Sequence, residues 1–291
     1  MMRIDVIKLI VVIILVLIVS CLIIWFSQVL EADKIGGADT VKTDSAYPQN
    51  ELFEVTLEPF QEPPAVKLNC DGHKLAIDRG EMFYEFGDNG FDKGRPSLLL
   101  INGGPGGTHV YFHGLKDLGS KCNSNMIMYD QRGCGQSSYS DEPYSIDGLV
   151  DDIEALRRHL DVDKFAVLGW SYGGYLARAY ALKYPDRVSH LIMVSSITAG
   201  FTDMVGDEYR ADQKKYITEP ERTKLREITK MNVPLDVKIF NMMLNGDWKR
   251  QYLRKPDNPT IALYAKYGWD HDERFRNDIL KDLVHSHEAV K

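Results

Sequence analysis

The stretch Gly169-Trp170-Ser171-Tyr172-Gly173 constrains this chain more than any other. It lies between an apolar run, Lys164 to Trp170, and a helically spaced segment, Tyr172 to Tyr184, that Pro185 ends. A G-x-S-x-G sequence at a strand-to-helix turn needs small neighbours, because the turn is sharp and strained. Such a turn lifts Ser171 Oγ to the C-terminal edge of a sheet. Behind it, the first N–H groups of a helix face a developing negative charge. Ser171 is therefore the candidate nucleophile, and the Tyr172 N–H a candidate oxyanion donor. A chance glycine-rich turn is the rival reading, and the strand–helix context argues against it.

The surrounding grammar is strand, helix, strand, helix. Lys74 to Asp78 and Met82 to Phe86 read as an opening antiparallel pair. Ser97 to Asn102 and Asn125 to Asp130 are short continuous apolar runs, the pattern of strands buried on both faces. Ser145 is a plausible N-cap for a helix over 145–160, with Leu149, Ile153, Leu156 and Leu160 on one face. Val188 to Ser195 is a fourth strand of the parallel type. Right-handed crossovers and a mostly parallel sheet flanked by helices follow. After Ser196 no strand runs occur, and 200–291 reads as a helical cap inserted after that fourth strand.

Two further loops sit where chemistry would need them. Asn102-Gly103-Gly104-Pro105-Gly106-Gly107 follows the first buried strand, and its backbone can aim N–H groups into a cavity. Gly103 or Gly104 would supply the second oxyanion donor. A phosphate cradle is disfavoured, since neither G-K-[ST] nor G-x-G-x-x-G spacing is present. Asp130-Gln131-Arg132-Gly133-Cys134-Gly135-Gln136-Ser137 follows the second buried strand and reads as a structural turn, with Asp130 and Arg132 pairing or capping.

Together these loops resemble the proline iminopeptidases, prolyl aminopeptidases of the α/β-hydrolase fold. The family pattern is His-Gly-Gly-Pro-Gly, then Asp-Gln-x-Gly-x-Gly-x-Ser, then Gly-x-Ser-x-Gly-Gly. This chain has NGGPG at 102–106, DQRGCGQS at 130–137 and GWSYGG at 169–174. The resemblance covers about residues 68 to 200. It implies an α/β-hydrolase core over 67–199 and attack by Ser171 on the carbonyl that follows a peptide's first residue. It also implies cap carboxylates that recognise the free α-ammonium, with Glu208, Glu219, Asp236 and Glu273 as candidates. A peptide with a free N-terminus is the expected substrate, with no cofactor and no metal. A broader esterase, amidase or lactonase, or an inactive binding scaffold, are the alternatives. An Asp at the elbow would mark a dehalogenase or epoxide hydrolase, and Ser171 stands there instead.

Two departures stand out. Asn102 replaces the family's loop histidine. The family's Asp and His partners follow the cap, and this chain is expected to end before those strands begin, as a fragment would. Of its histidines, His109 and His113 lie four apart beside the glycine loop, without an apparent third metal ligand. His159 sits late on a helix, His271 lies among Asp270, Asp272 and Glu273, and His285 and His287 lie near the end. His73 and His190 complete the set. None of them is marked as the base by motif, and Asp203 is at most a stand-in acid.

The N-terminus reads differently. Leu9 to Phe26 is broken only by Ser20 and Cys21, and a run of about 20 apolar residues spans a bilayer core. Arg3 and Lys8 precede it while Glu31 and Asp33 follow, so the positive-inside bias places the rest of the chain outside the cytoplasm. Residues 1–27 are expected to be a single-pass signal anchor and 28–66 a polar tether. Ile18-Val19-Ser20-Cys21 also resembles a lipobox, which would make Cys21 a lipid anchor. The net charge of -7 makes this chain a poor candidate for binding a nucleic-acid backbone, which needs a basic face, and no nucleic-acid partner is expected. Beyond Cys21 the remaining three cysteines read as small buried apolar residues.

Overall fold

The computed structural model describes residues 57–196, 219–245 and 258–288. The expected anchor over 1–27, most of the tether, Asp203 and Glu208 lie outside the described residues. Among the described residues no helix is long and apolar enough to cross a membrane.

The chain opens with a hairpin, β1 (His73–Ile77) and β2 (Gly80–Phe86), followed by β3 (Ser97–Ile101). A 3₁₀ segment (His109–Leu115) and the short α1 (Leu118–Cys122) lead to β4 (Asn125–Tyr129). Then come α2 (Ile146–His159), β5 (Phe165–Trp170), α3 (Tyr172–Lys183) and β6 (Val188–Val194). Four helices follow among the described residues: α4 (Glu219–Lys230), α5 (Leu235–Asn245), α6 (Asn258–Tyr267) and α7 (Glu273–Glu288).

The sheet order is β1-β2-β4-β3-β5-β6. β1 and β2 are antiparallel, and β2 joins β4 antiparallel. β4, β3, β5 and β6 run parallel. From β3 the chain moves to β4 on one side and then across to β5 on the other. That reversal opens a crevice at the C-terminal ends of β3 and β5, where open α/β sheets bind ligands.

The continuous apolar strands are buried on both faces, for a visible reason. Leu99, Ile101, Ile127 and Val167 pack with α2 and α3 through Leu149, Ile153, Leu156 and Leu176. Leu100, Met126, Met128 and Leu168 face the other way, onto Tyr111, Phe112 and Leu115 of the 3₁₀ segment. Period-two alternation thus feeds two cores, and the buried polar residues of β3 and β4, Ser97 and Asn125, stand at the strand starts and bond each other. Ser145 caps α2 as expected: its hydroxyl accepts from Gly148 N at 3.1 Å. β6 is different. It is the last strand in the order, and Leu191 and Ile192 are each 39% exposed.

Helices α4, α5 and α6 share a small core of Leu225, Phe240, Met243, Leu244, Ile261 and Ala265. Asn241 of that group bonds the backbone of Gln61 twice, at 2.8 Å each, so the end of the expected tether is held there. Helical spacing alone did not distinguish α7 from the others. Its Phe275, Ile279 and Leu283 pack into the sheet's core beside α2 instead.

Candidate active site

Ser171 is the hinge between β5 and α3, with φ 53° and ψ -124°. L-residues rarely adopt this conformation, which costs about 1–3 kcal/mol and persists only when its surroundings enforce it. The surroundings are backbone. A Cβ at Gly169 would stand 2.3 Å from Gly173 O, and one at Gly173 would stand 2.2 Å from Ile101 O. The elbow and β3 therefore touch main chain to main chain. Ser171 N donates to Val194 O at 3.0 Å, which ties the turn to β6. Its hydroxyl does not cap its own helix.

Gly103 lies directly alongside. A Cβ there would be 3.2 Å from Ser171 Cβ and 2.9 Å from the Trp170 ring. The structure thus brings together Ser171, Tyr172 at the first turn of α3, and Gly103, while Gly104 packs on the backbone of Gly106 and Gly107. Tyr172 N–H is among the helix-start donors that have no intrahelical acceptor. Asn102 does in this chain what its replacement of histidine left open. Its Nδ2 donates to both Gly103 O and Gly107 O, closing the loop on itself.

The loop after β4 is a structural knot. The fully buried Asp130 accepts from His109 N at 2.8 Å and His109 Nδ1 at 2.7 Å, while its other oxygen accepts from Gln136 N at 2.8 Å. Arg132 does not pair with Asp130. It forks onto Asp152 of α2, through Nε at 2.8 Å and an Nη at 2.5 Å. Burial raises the Asp152 carboxyl above its usual range even with Arg132 on it. Cys134 is fully buried, and burial lifts its thiol well above the ordinary range, as fits a packing residue.

The segment after α6 straps these loops together, a feature that no motif announces. Thr108 N donates to Gly268 O at 3.2 Å and Thr108 Oγ1 to Tyr267 O at 2.7 Å. Gly135 N donates to Asp270 O at 2.6 Å, and Asp272 N to Gly133 O at 2.8 Å. The backbones of His271 and Cys134 pair as an isolated antiparallel β-bridge, and a Cβ at Gly106 would be 2.8 Å from the His271 ring.

The other histidines are held elsewhere. His159 Nε2 lies 3.1 Å from Tyr84 OH, His190 is exposed beside Ser189, and the His73 ring packs on Tyr84. The side chains of His285, His287 and Glu273 lie outside the described residues. Glu219 sits on a hollow of about 480 Å³ with Leu57, Pro220 and Lys224, and Arg222 and Arg226 each approach it at 3.3 Å. Neither Glu219 nor Asp236 is brought to Ser171 by any contact of the described residues.

Sequence reasoning also missed Glu85. This residue of β2 is 1% exposed and meets His113 Nε2, Lys116 Nζ at 2.9 Å and, at 3.5 Å, His109 Nε2. Burial alone would raise its carboxyl, but the bonds from His113 and Lys116 outweigh that and hold it below the usual range. A charged residue between Tyr84 and Phe86 in an apolar strand was the available signal.

Comparison with known proteins agrees with this fold. Residues 96–230 match the family described as alpha/beta hydrolase fold. A proline iminopeptidase of Lactobacillus helveticus is 43% identical over 188 residues, 60% of this chain and 63% of that protein. One from Lactiplantibacillus plantarum is 40% identical over 105 residues, 35% of this chain and 37% of that protein. One from Lactobacillus acidophilus is 31% identical over 189 residues, 59% and 62% of the two chains. The aligned chain therefore spans less than two thirds of the length of these relatives.

Proposed function

We propose that this chain, which matches the alpha/beta hydrolase fold family over residues 96–230 and is 43% identical to a proline iminopeptidase over 188 residues, acts as a serine aminopeptidase. It would release an N-terminal residue, of the proline type, from peptides. The observation that carries the reading is the strained Ser171 elbow packed against Gly103. Ser171 Oγ attacks the carbonyl carbon after the first residue. The N–H groups of Tyr172 and of Gly103 or Gly104 hold the oxyanion that forms. A histidine takes the hydroxyl proton and returns it to the departing amine, and water then releases the acyl group. In the family pattern that histidine and its orienting carboxylate follow the cap.

The sequence of Leu9 to Phe26 supports a further element of the proposal. The domain stands outside the cytoplasm on a membrane anchor, or on a lipid at Cys21. Extraction of membranes at alkaline pH, with palmitate labelling, separates the two.

The catalytic reading is tested with a fluorophosphonate probe and prolyl-aminomethylcoumarin. Labelling and turnover that vanish in Ser171→Ala support it. Turnover of esters but not of prolyl amides favours the broader esterase. A folded chain that neither labels nor turns over either substrate is a binding scaffold.

A further inference from the structure

Behind the glycine loop lies a second constellation that the proposed hydrolysis does not use. We propose that Glu85, His109 and His113 form a binding site for one divalent transition-metal ion of the zinc class. Their ligand atoms, one from each residue, all lie within 4.8 Å of one another. Two imidazoles and a carboxylate are the donors such ions take, with a fourth position left for water.

The tautomer of His109 carries the inference furthest. Asp130 accepts the His109 backbone N–H on the same oxygen that meets Nδ1, so this carboxylate acts as an acceptor. Nδ1 must then be the protonated nitrogen. Nε2 in the neutral ring is left with a lone pair, and a carboxylate behind Nδ1 is the usual support of a metal-binding histidine. His109 is 1% exposed, and its Nε2 has no hydrogen-bond partner. It faces Glu85 Oε1 at 3.5 Å. A buried lone pair pointed at a buried carboxylate is unfavourable unless a cation or a proton lies between them.

His113 completes the set from the same side. Its Nε2 contacts the same Oε1, and the two rings stand 5.2 Å apart at 61°. Lys116 engages the other carboxylate oxygen, Oε2, at 2.9 Å, so Oε1 is the one turned to both rings. His113 is 13% exposed on its side chain, which gives the ion an entry path. Binding moves the proton of the neutral His113 ring from Nε2 to Nδ1, so that Nε2 presents a lone pair, and the Nε2–Glu85 hydrogen bond gives way to a bond from each atom to the ion. The ion would join β2 to the loop that follows β3, and through Asp130 to the loop that follows β4.

The test uses the full chain in detergent, stripped with EDTA and titrated with Co²⁺ and then Zn²⁺. One equivalent of Co²⁺ is expected to give the visible d–d bands of a low-coordinate site, and Zn²⁺ to abolish them. Thermal unfolding should shift upward with Zn²⁺. His113→Ala should weaken binding by at least about 100-fold, since even outer-shell losses cost 10–100-fold. His113→Gln serves if the alanine variant does not fold. His190→Ala, on exposed β6, should bind as the parent does. Absence of d–d bands in the folded parent overturns the proposal and leaves a proton between His109 and Glu85. Equal binding by the His113 variants overturns it as well.

Discussion

The elbow at Ser171 and the polar knot around Asp130 flank the glycine loop at the C-terminal edge of the sheet, and they are built by opposite means. At the elbow, geometry comes from missing side chains: Gly169, Gly173 and Gly103 let β3, β5 and α3 meet through their backbones. At the knot, geometry comes from side chains: buried Asp130, His109 and Glu85, with the partly buried His113, hold the loops by charge and hydrogen bonds. Steric exclusion is set locally and shows as a motif. A buried polar network needs partners from distant strands, so each member looks ordinary in the sequence.

The sharpest break in this comparison is at the nucleophile itself. Ser171→Ala should lower prolyl-amide turnover by at least about 10⁴-fold, as loss of a serine nucleophile does. Its unfolding midpoint should stay close to the parent's, because the hydroxyl makes no capping bond. Steady-state kinetics with denaturant unfolding checks both halves.

Gly173→Ala attacks the same elbow through packing. Its Cβ would stand 2.2 Å from Ile101 O and 2.5 Å from Asn102 O, neither of which is a flexible group. A loss of about 4 kcal/mol or more, or failure to fold, is expected. Gly90→Ala has open space around it and should cost only about 1 kcal/mol for its positive φ. Equal effects of the two would show that the elbow is not held by backbone contact.

Asp130→Asn tests the knot. It leaves His109 N and Nδ1 facing a neutral amide in a fully buried position. A loss of about 3 kcal/mol is expected by chemical denaturation. Slower probe labelling of Ser171 in the folded variant would show that the knot positions the neighbouring loops.

A pH series extends the contrast to α2. Glu154 is nearly buried, and although burial raises its carboxyl, bonds from Arg157, Tyr180 and Arg158 lower it to about 2. A depressed carboxyl contributes stability that is fully present above its unfolded value, 4.5, and is lost as pH falls toward 2. Roughly 3 kcal/mol is at stake by linkage. Glu154→Gln should flatten that acid limb of the stability curve. An unchanged limb would sink the assignment.

The smallest effect is expected at Asn102. Removing its two bonds to Gly103 O and Gly107 O in Asn102→Ala should cost about 1 kcal/mol per bond lost. Turnover should fall more than stability, since the loop carries the proposed oxyanion donors. Asn102→His should fold and retain the elbow's labelling.

By itself the sequence determined the strand–helix alternation of the core, the Ser145 cap and the sharp strand-to-helix turn at Ser171. Each of these depends on near neighbours in the chain: apolar runs, helical spacing, and glycines that permit a sharp turn. The tertiary structure decided the rest. It set Glu85 against His109 and His113, turned Arg132 away from Asp130 toward Asp152, laid the 268–272 strap across both loops and sent α7 to the core instead of the cap. Those contacts join residues distant in the chain through buried charge and shape, and no local spacing records which partners the fold will bring together.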